Sequence, residues 1–118
     1  MASIDLRDRT KEFALRVIRL VDSFPQTRTA DVIGKQLLRS GTSVGANYRV
    51  ACRAKSTPDF VNKMAIVLEE ADESAYWMEL SVGAKLVRPG RLSNLQHEAD
   101  EPVAIAVSSI NTAKRRSR

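Results

Sequence analysis

Apolar residues recur at the spacing of one helix face in four stretches of this chain, and this periodicity constrains the fold more than any other feature. Helix one is predicted from about Asp5 to Ser23, and helix two from about Ala30 to Lys55. Helix three is predicted from the start signal Ser56-Thr57-Pro58-Asp59 to about Leu86, and helix four from about Leu92 to Ala113. Four amphipathic helices with short links predict an all-α, antiparallel up-down four-helix bundle.

Turn-forming residues mark several helix ends. Pro25 ends helix one because the residue before a proline avoids helical backbone, and Thr29 is expected to cap helix two. Pro102 lies inside helix four and is expected to kink it or to delay its regular start. At 118 residues the chain suits a single domain, predicted at 1–113, followed by a basic tail at 114–118.

The middle of helix two, Ser40 to Ala46, consists largely of small residues. Gly41 and Gly45 each cost roughly 1 kcal/mol of helix stability relative to alanine. Small side chains let a second helix approach closely, and this packing is the expected compensation. Cys52, on the apolar arc of the same helix, is expected to be a buried, unreactive thiol.

Composition narrows the cellular setting and the chemistry. One cysteine excludes an internal disulfide and a cysteine-based zinc site, and it favours a cytoplasmic location. No apolar run approaches the roughly 20 residues of a membrane span. The acids Glu69, Glu70, Asp72 and Glu73 point away from the core stripe, and His97 is the single histidine. We therefore predict no catalytic residue, no metal and no cofactor, and hence no enzyme.

Basic residues are concentrated in two places. The formal net charge is +5, and four of these charges belong to the tail, so residues 1–113 carry only +1. Helix two presents a basic stripe opposite its apolar arc. Contact with RNA or DNA phosphates is the leading hypothesis for both regions, whose candidate residues are Lys35, Arg39, Arg49, Arg53, Lys114, Arg115, Arg116 and Arg118. The alternatives are a solvated face and pairing with the acids of helix three.

Helix three has a second apolar patch, roughly opposite its core stripe. It consists of Ile66, Trp77 and Leu80, with Tyr76 at one flank. Aromatic residues are enriched at protein interfaces because they combine a large apolar area with a polar group. The patch predicts self-association, and the alternative is burial between helices of one bundle.

A set of segments carries a resemblance to a known family: Phe24-Pro25, Gln36 to Arg49 (QLLRSGTSVGANYR), Arg53 to Ser56 (RAKS), Asp59-Phe60, Lys63 and Glu70 to Leu80 (EADESAYWMEL). Together they resemble the bacterial family of 23S ribosomal RNA intervening-sequence proteins. The resemblance implies a four-helix bundle that assembles into a ring-like homo-oligomer, a pentamer, with no catalytic residues. A related branch, the accessory variability proteins of diversity-generating retroelements, binds nucleic acid and a reverse transcriptase.

Two departures from these relatives bear on function. Val50 stands where many relatives have an acid, and the body of the chain is less basic than in the retroelement branch. The first functional hypothesis is a non-catalytic homo-oligomer that binds RNA or DNA. The second is a scaffold whose partner is another protein and whose basic residues serve solubility.

Overall fold

The computed structural model describes residues 6–116, which contain four α-helices and no strand. The helices are α1 (Leu6–Asp22), α2 (Arg28–Ala51), α3 (Thr57–Gly83) and α4 (Pro89–Arg116). The predicted all-α class is therefore confirmed. The expected start of helix one at Asp5 lies outside the described residues, as does Arg118.

Each helix packs on its neighbours in the sequence, and α1 also packs on α4. Residues early in α1 lie against residues late in α2, since Thr10 contacts the Gly45 position and Val21 contacts the Gly34 position. The molecule is elongated, with extents of 50 × 25 × 20 Å. In the part of the chain described here, no helix is both long and apolar enough to span a membrane.

The core receives apolar side chains from all four helices. Its largest fully buried members are Phe13, Leu37, Met64, Met78 and Leu92. These side chains lie on the apolar face of each helix, so hydrophobic burial stabilises the arrangement at about 25 cal/mol per Å² of apolar area removed from water. Helical propensity alone would not hold α2, with its glycines and hydroxyl residues.

Close contact between α1 and α2 at the glycines confirms the packing predicted for the small residues. A Cβ atom on Gly41 would lie 2.9 Å from both Cγ atoms of Val17. A Cβ on Gly45 would lie 3.0 Å from the hydroxyl of Thr10. Both distances are shorter than van der Waals contact allows, so the two helices are closer here than side chains at these positions would permit.

Capping residues explain where α2 and α3 begin. The predicted cap of α2, Thr29, is wrong: the helix begins at Arg28, and the hydroxyl of Thr27 accepts a hydrogen bond of 3.1 Å from the amide of Ala30. Thr27 has the extended backbone that a capping residue needs, whereas Thr29 is already helical. The predicted start of α3 is confirmed, since the hydroxyl of Ser56 accepts from the amide of Asp59 at 3.2 Å.

Two further expectations are wrong. The delayed start expected from Pro102 is wrong, since helix α4 begins at Pro89, where a proline fits the first helical position, and continues through position 102. Cys52 is exposed rather than buried. Cys52 keeps helical backbone as the C-cap of α2, but it lies at the end of that helix and lines the open groove between the α2–α3 turn and α4, which leaves it exposed.

Candidate nucleic-acid interface

One end of the elongated molecule collects most of its cations. This basic end comprises residues 6–12, 49–63 and 110–116, which are the start of α1, the α2–α3 turn with its flanking turns of helix, and the last turns of α4. Contact of α1 with the Gly45 position and a shared groove between 51–60 and 108–116 bring the three segments together.

Charge is strongly segregated between this end and the rest. The basic end has ten Lys and Arg residues against three acids, whereas the other described residues have eight against ten. Its net charge is therefore +7, and that of the remainder is −2. The ten cations are Arg7, Arg9, Lys11, Arg49, Arg53, Lys55, Lys63, Lys114, Arg115 and Arg116. A field of this kind attracts polyanions and orients them toward one end.

An acid at the basic end is itself engaged by cations and backbone. Asp59 accepts a hydrogen bond of 3.1 Å from the backbone amide of Lys55, and its other oxygen lies 3.5 Å from Nζ of Lys63. The Lys55 amide, followed by the charge of Lys63, lowers the pKa of Asp59. Arg53, Lys55 and Lys63 line one shallow groove beside it. Phosphate oxygens on this surface would meet several cations at once.

The structure divides the predicted basic stripe of α2 into two parts. Arg49 and Arg53 lie at the basic end together with Lys114, Arg115 and Arg116, which form the last turn of α4 rather than a separate tail. Lys35 lies toward the opposite end, where its Nζ is 3.4 Å from a carboxylate oxygen of Asp31. Arg118 lies outside the described residues.

Arg39, at the middle of the stripe, pairs with acids of α3. Its guanidinium donates to both carboxylate oxygens of Glu70 at 3.2 Å and also to Glu73. Its hydrogen bond to Glu73 raises the pKa of Arg39 most, ahead of the contribution of Glu70. For Arg39, this contact agrees with the alternative interpretation of the basic stripe, in which its cations pair with the acids of helix three rather than with phosphates. Arg39 therefore joins α2 to α3 and stands apart from the cations of the basic end.

Glu73 connects this ion pair to the aromatic residues of α3. The indole Nε1 of Trp77 donates to Oε2 of Glu73 at 3.0 Å, and this hydrogen bond, with the weaker effect of Arg39, lowers the pKa of Glu73. Trp77 also contacts Tyr76 edge-on, with ring centroids 5.2 Å apart. The carboxylate thus holds two neighbouring side chains, and it holds them more strongly when it is ionised.

A pH-dependent contribution of Glu73 to stability follows from this arrangement. A carboxylate whose pKa is lowered by folding stabilises the fold above the unfolded-state pKa, about 4.3 for glutamate, and this contribution is lost as the pH falls through the folded value. We expect Glu73→Gln to lower the melting temperature at pH 7 and to converge with the unaltered protein near pH 3. Circular dichroism melts at both pH values, with Glu69→Gln as a charge-matched control, check this. An equal loss at both pH values would contradict it.

The residues predicted as an oligomer interface occupy two different environments. Tyr76 and Ile66 are exposed to 52% and 37%, on the solvent-facing side of α3. Trp77 is half-buried and packs against the core, and Leu80 is also half-buried. Trp77 thus contributes to packing within the chain, and Tyr76 and Ile66 form the outer apolar surface.

Sequence reasoning missed part of the basic end. The helix-face pattern does not single out four of its cations, which are Arg7, Arg9, Lys55 and Lys63. The signal was present in the predicted antiparallel order, which places the start of helix one beside the end of helix two. Counting charges by end, rather than by helix face, finds all four residues.

Comparison with known proteins gives two consistent findings. Residues 3–108 match the family model of the 23S rRNA-intervening sequence protein. The fold is similar to the crystal structure of a protein of unknown function from the S23 ribosomal protein family of Bacteroides thetaiotaomicron, with a TM-score of 0.84 and 36% sequence identity over 90% of this chain and 98% of that one. No curated protein matches the chain significantly.

Proposed function

This chain belongs to the 23S rRNA-intervening sequence protein family, and from that premise we propose that it is a non-catalytic accessory protein that associates with RNA or DNA through its basic end. The observation that carries the proposal is the charge segregation, +7 at one end against −2 elsewhere. Lysine and arginine side chains that contact phosphates release condensed counterions, and this release supplies most of non-specific nucleic-acid affinity.

The proposal includes the architecture of the active species. Four helices in antiparallel up-down order form a bundle, and copies of the bundle assemble through the outer apolar surface of α3 into a ring-like homo-oligomer, a pentamer. Support comes from the exposure of Tyr76 and Ile66 on α3, since aromatic and large apolar side chains are favoured at protein interfaces. We also propose that this chain is related to the accessory variability proteins of diversity-generating retroelements.

Assembly and nucleic-acid binding reinforce each other in this scheme. Cyclic symmetry presents the same surface of each copy on one side of a ring. If the 50 Å long axes run along the ring axis, the basic ends of all copies share one face. Several weak sites on one face act together, so avidity exceeds the affinity of any single copy by a factor on the order of 10² or more.

The second candidate is a protein-interaction scaffold without a nucleic-acid role. The observation that favours it is the use of Arg39 within the chain, where Glu70 and Glu73 bind it and leave less of the α2 stripe for phosphates. In a scaffold, Tyr76 and Ile66 would contact a different protein rather than a second copy. Salt dependence of polyanion binding separates the two functions.

The test is binding of a duplex of about 20 base pairs, of RNA and of DNA, at salt concentrations between about 50 and 300 mM. The triple variant Arg49→Gln, Arg53→Gln, Arg115→Gln should lower the slope of log affinity against log salt by about 2 to 3, since each lost phosphate contact removes roughly 0.9. Affinity at low salt should fall by roughly 10².

A control variant with the same change in net charge makes this decisive. Arg28→Gln, Lys35→Gln, Arg88→Gln removes three cations that lie outside the basic end. It should keep nearly the full slope. Equal losses of affinity and slope in the two variants would show a diffuse charge effect. Absence of binding at the lowest salt concentration would favour the scaffold function.

A further inference from the structure

A cavity of about 610 Å³ lies within the basic end, between the α2–α3 turn and the last turns of α4. Its volume is in the range of pockets that bind small organic molecules. One wall is formed by residues 51–52 and 54–57 with Phe60, and the other by one face of α4 between 108 and 116. It opens to solvent among the cations described above.

Small residues on both walls explain why the helices leave this space. Ala51 and Ala54 on one side face Ala113 on the other, and none of these side chains spans the gap. Phe60 contributes an aromatic ring that is half-buried and packs against the core. The cavity therefore combines an aromatic surface, backed by the core, with a polar opening.

Three hydroxyls in the α4 wall are available to a ligand. Elsewhere in the helices, Thr42, Ser74 and Ser81 donate their hydroxyls to a carbonyl one turn earlier, at 2.8 to 2.9 Å. Within residues 6–116 no such bond engages the hydroxyls of the α4 wall, which belong to Ser108, Ser109 and Thr112. They line the wall opposite Phe60 and can donate to or accept from polar atoms of a bound ring.

The charged lining of the cavity is entirely cationic among the described residues. Lys55 and Arg116 lie at its rim, one from each wall, and no acid lines it. Asp59, the nearest acid in sequence, faces the neighbouring groove with Lys63. An anionic group at the rim would meet two positive charges, and a planar ring would fit between Phe60 and the hydroxyls.

We propose that this cavity binds one unpaired nucleotide, with its phosphate at Lys55 and Arg116, its base against Phe60, and the polar edge of the base on the hydroxyls of α4. The inference rests on the proposed function and adds a selectivity to it. Bases in a duplex are stacked and paired, so they cannot enter without being extruded, whereas a single strand offers its bases directly. The basic end then holds either form by its phosphates, and the cavity favours the unpaired one.

Cys52 provides a reporter, because the chain's single cysteine is exposed and lies in the cavity wall. Its rate of alkylation by N-ethylmaleimide, which is uncharged, is measured with the intact protein alone and with four probes. The probes are a single-stranded oligonucleotide, its duplex, a nucleoside 5′-monophosphate and inorganic phosphate. We expect the single strand to slow alkylation about tenfold and the duplex to leave the rate within about twofold, at concentrations that saturate binding of each.

The remaining probes identify the source of the nucleotide. Protection by the single strand alone means a nucleotide within a chain, and protection by the monophosphate as well means that a free nucleotide also binds. Equal protection by inorganic phosphate would overturn the nucleotide assignment and leave an anion site. Equal rates with every probe, while the duplex still binds in a salt-dependent manner, would overturn the cavity proposal and leave the proposed function intact.

A variant that fills the cavity gives an independent measurement. Ser109→Leu places a larger side chain in the α4 wall, and Asn111→Leu makes a matched change on the same helix outside this cavity. Ser109→Leu should reduce the preference for single strands over duplexes about tenfold without changing the salt slope. Unchanged preference in a folded Ser109→Leu protein, shown by circular dichroism, would contradict the proposal. Protection of Cys52 in the unaltered protein decides the matter if this variant does not fold.

Discussion

Replacing Gly41 by leucine is expected to lower the stability of this protein by about 3 kcal/mol. A Cβ atom at position 41 would already lie 2.9 Å from two methyl carbons of Val17, and Val17 is fully buried in the core. The valine has no free space to move into, because its neighbours on α1 and α2 are close-packed. Leucine adds three further carbon atoms at the same point, so α1 must move away from α2 or α2 must distort.

The measurement is the thermal unfolding midpoint by circular dichroism, where the expected loss corresponds to a decrease of roughly 10 °C or more for a chain of this size. Gly83→Leu is the matched control, since nothing lies within 4 Å of a Cβ at that position. It should leave the midpoint unchanged or raise it slightly, because leucine favours helix more than glycine does. Similar midpoints for the two variants would mean that α1 and α2 do not depend on close contact at Gly41.

The fold could be predicted from the sequence because its determinants are local. Apolar spacing identified all four helices, and the Ser56 cap with Pro58 placed the start of α3 correctly. The predicted start of α2 is wrong because two nearby threonines, Thr27 and Thr29, can both cap a helix. The predicted start of α4 is wrong because a proline such as Pro89 can either break or begin a helix. Which alternative prevails depends on the backbone conformation at that point, which the sequence pattern does not specify.

The candidate interface was only partly predictable, because a helical wheel reports direction around an axis and not position along it. The predicted stripe places Lys35 and Arg53 on one face of helix two, yet they are 18 residues apart, and each helical residue adds about 1.5 Å of rise. Only the packing of the helices against one another shows that the α2–α3 turn lies beside the last turns of α4. The pairing of Arg39 with Glu70 and Glu73 likewise depends on the register between two helices.

Helical spacing likewise does not show which apolar residues of α3 are exposed and could contact a second copy. Trp77 was grouped with Tyr76 by spacing, but its indole donates to Glu73 and its ring packs on the core. A change at Trp77 would therefore disturb the chain itself as well as any contact between chains. Ile66 and Tyr76 are the better probes, since they are exposed and lie apart from the buried core.

We expect Ile66→Ser, Tyr76→Ser to convert the proposed homo-oligomer into monomers of 13.1 kDa while helical content is retained. Exposed apolar anchors at the centre of an interface contribute on the order of 2 kcal/mol each, so losing both weakens each contact by roughly 10³. Light scattering on a sizing column at micromolar concentration measures the mass. Leu15→Ser, Val32→Ser is the control, because these residues are 36% and 56% exposed on α1 and α2.

The two double variants remove comparable apolar area from different faces, so they separate a specific interface from general surface hydrophobicity. Loss of mass in the α3 variant alone places the contact at Ile66 and Tyr76. An unaltered protein that already runs at 13.1 kDa would contradict assembly directly, and an oligomer that survives the α3 change would place the contact on another face. In the proposed ring, assembly would also set the strength of nucleic-acid binding, since monomers would lose the avidity of several basic ends on one face. The α3 variant should therefore bind the duplex more weakly, with its salt slope reduced, although no cation has been changed.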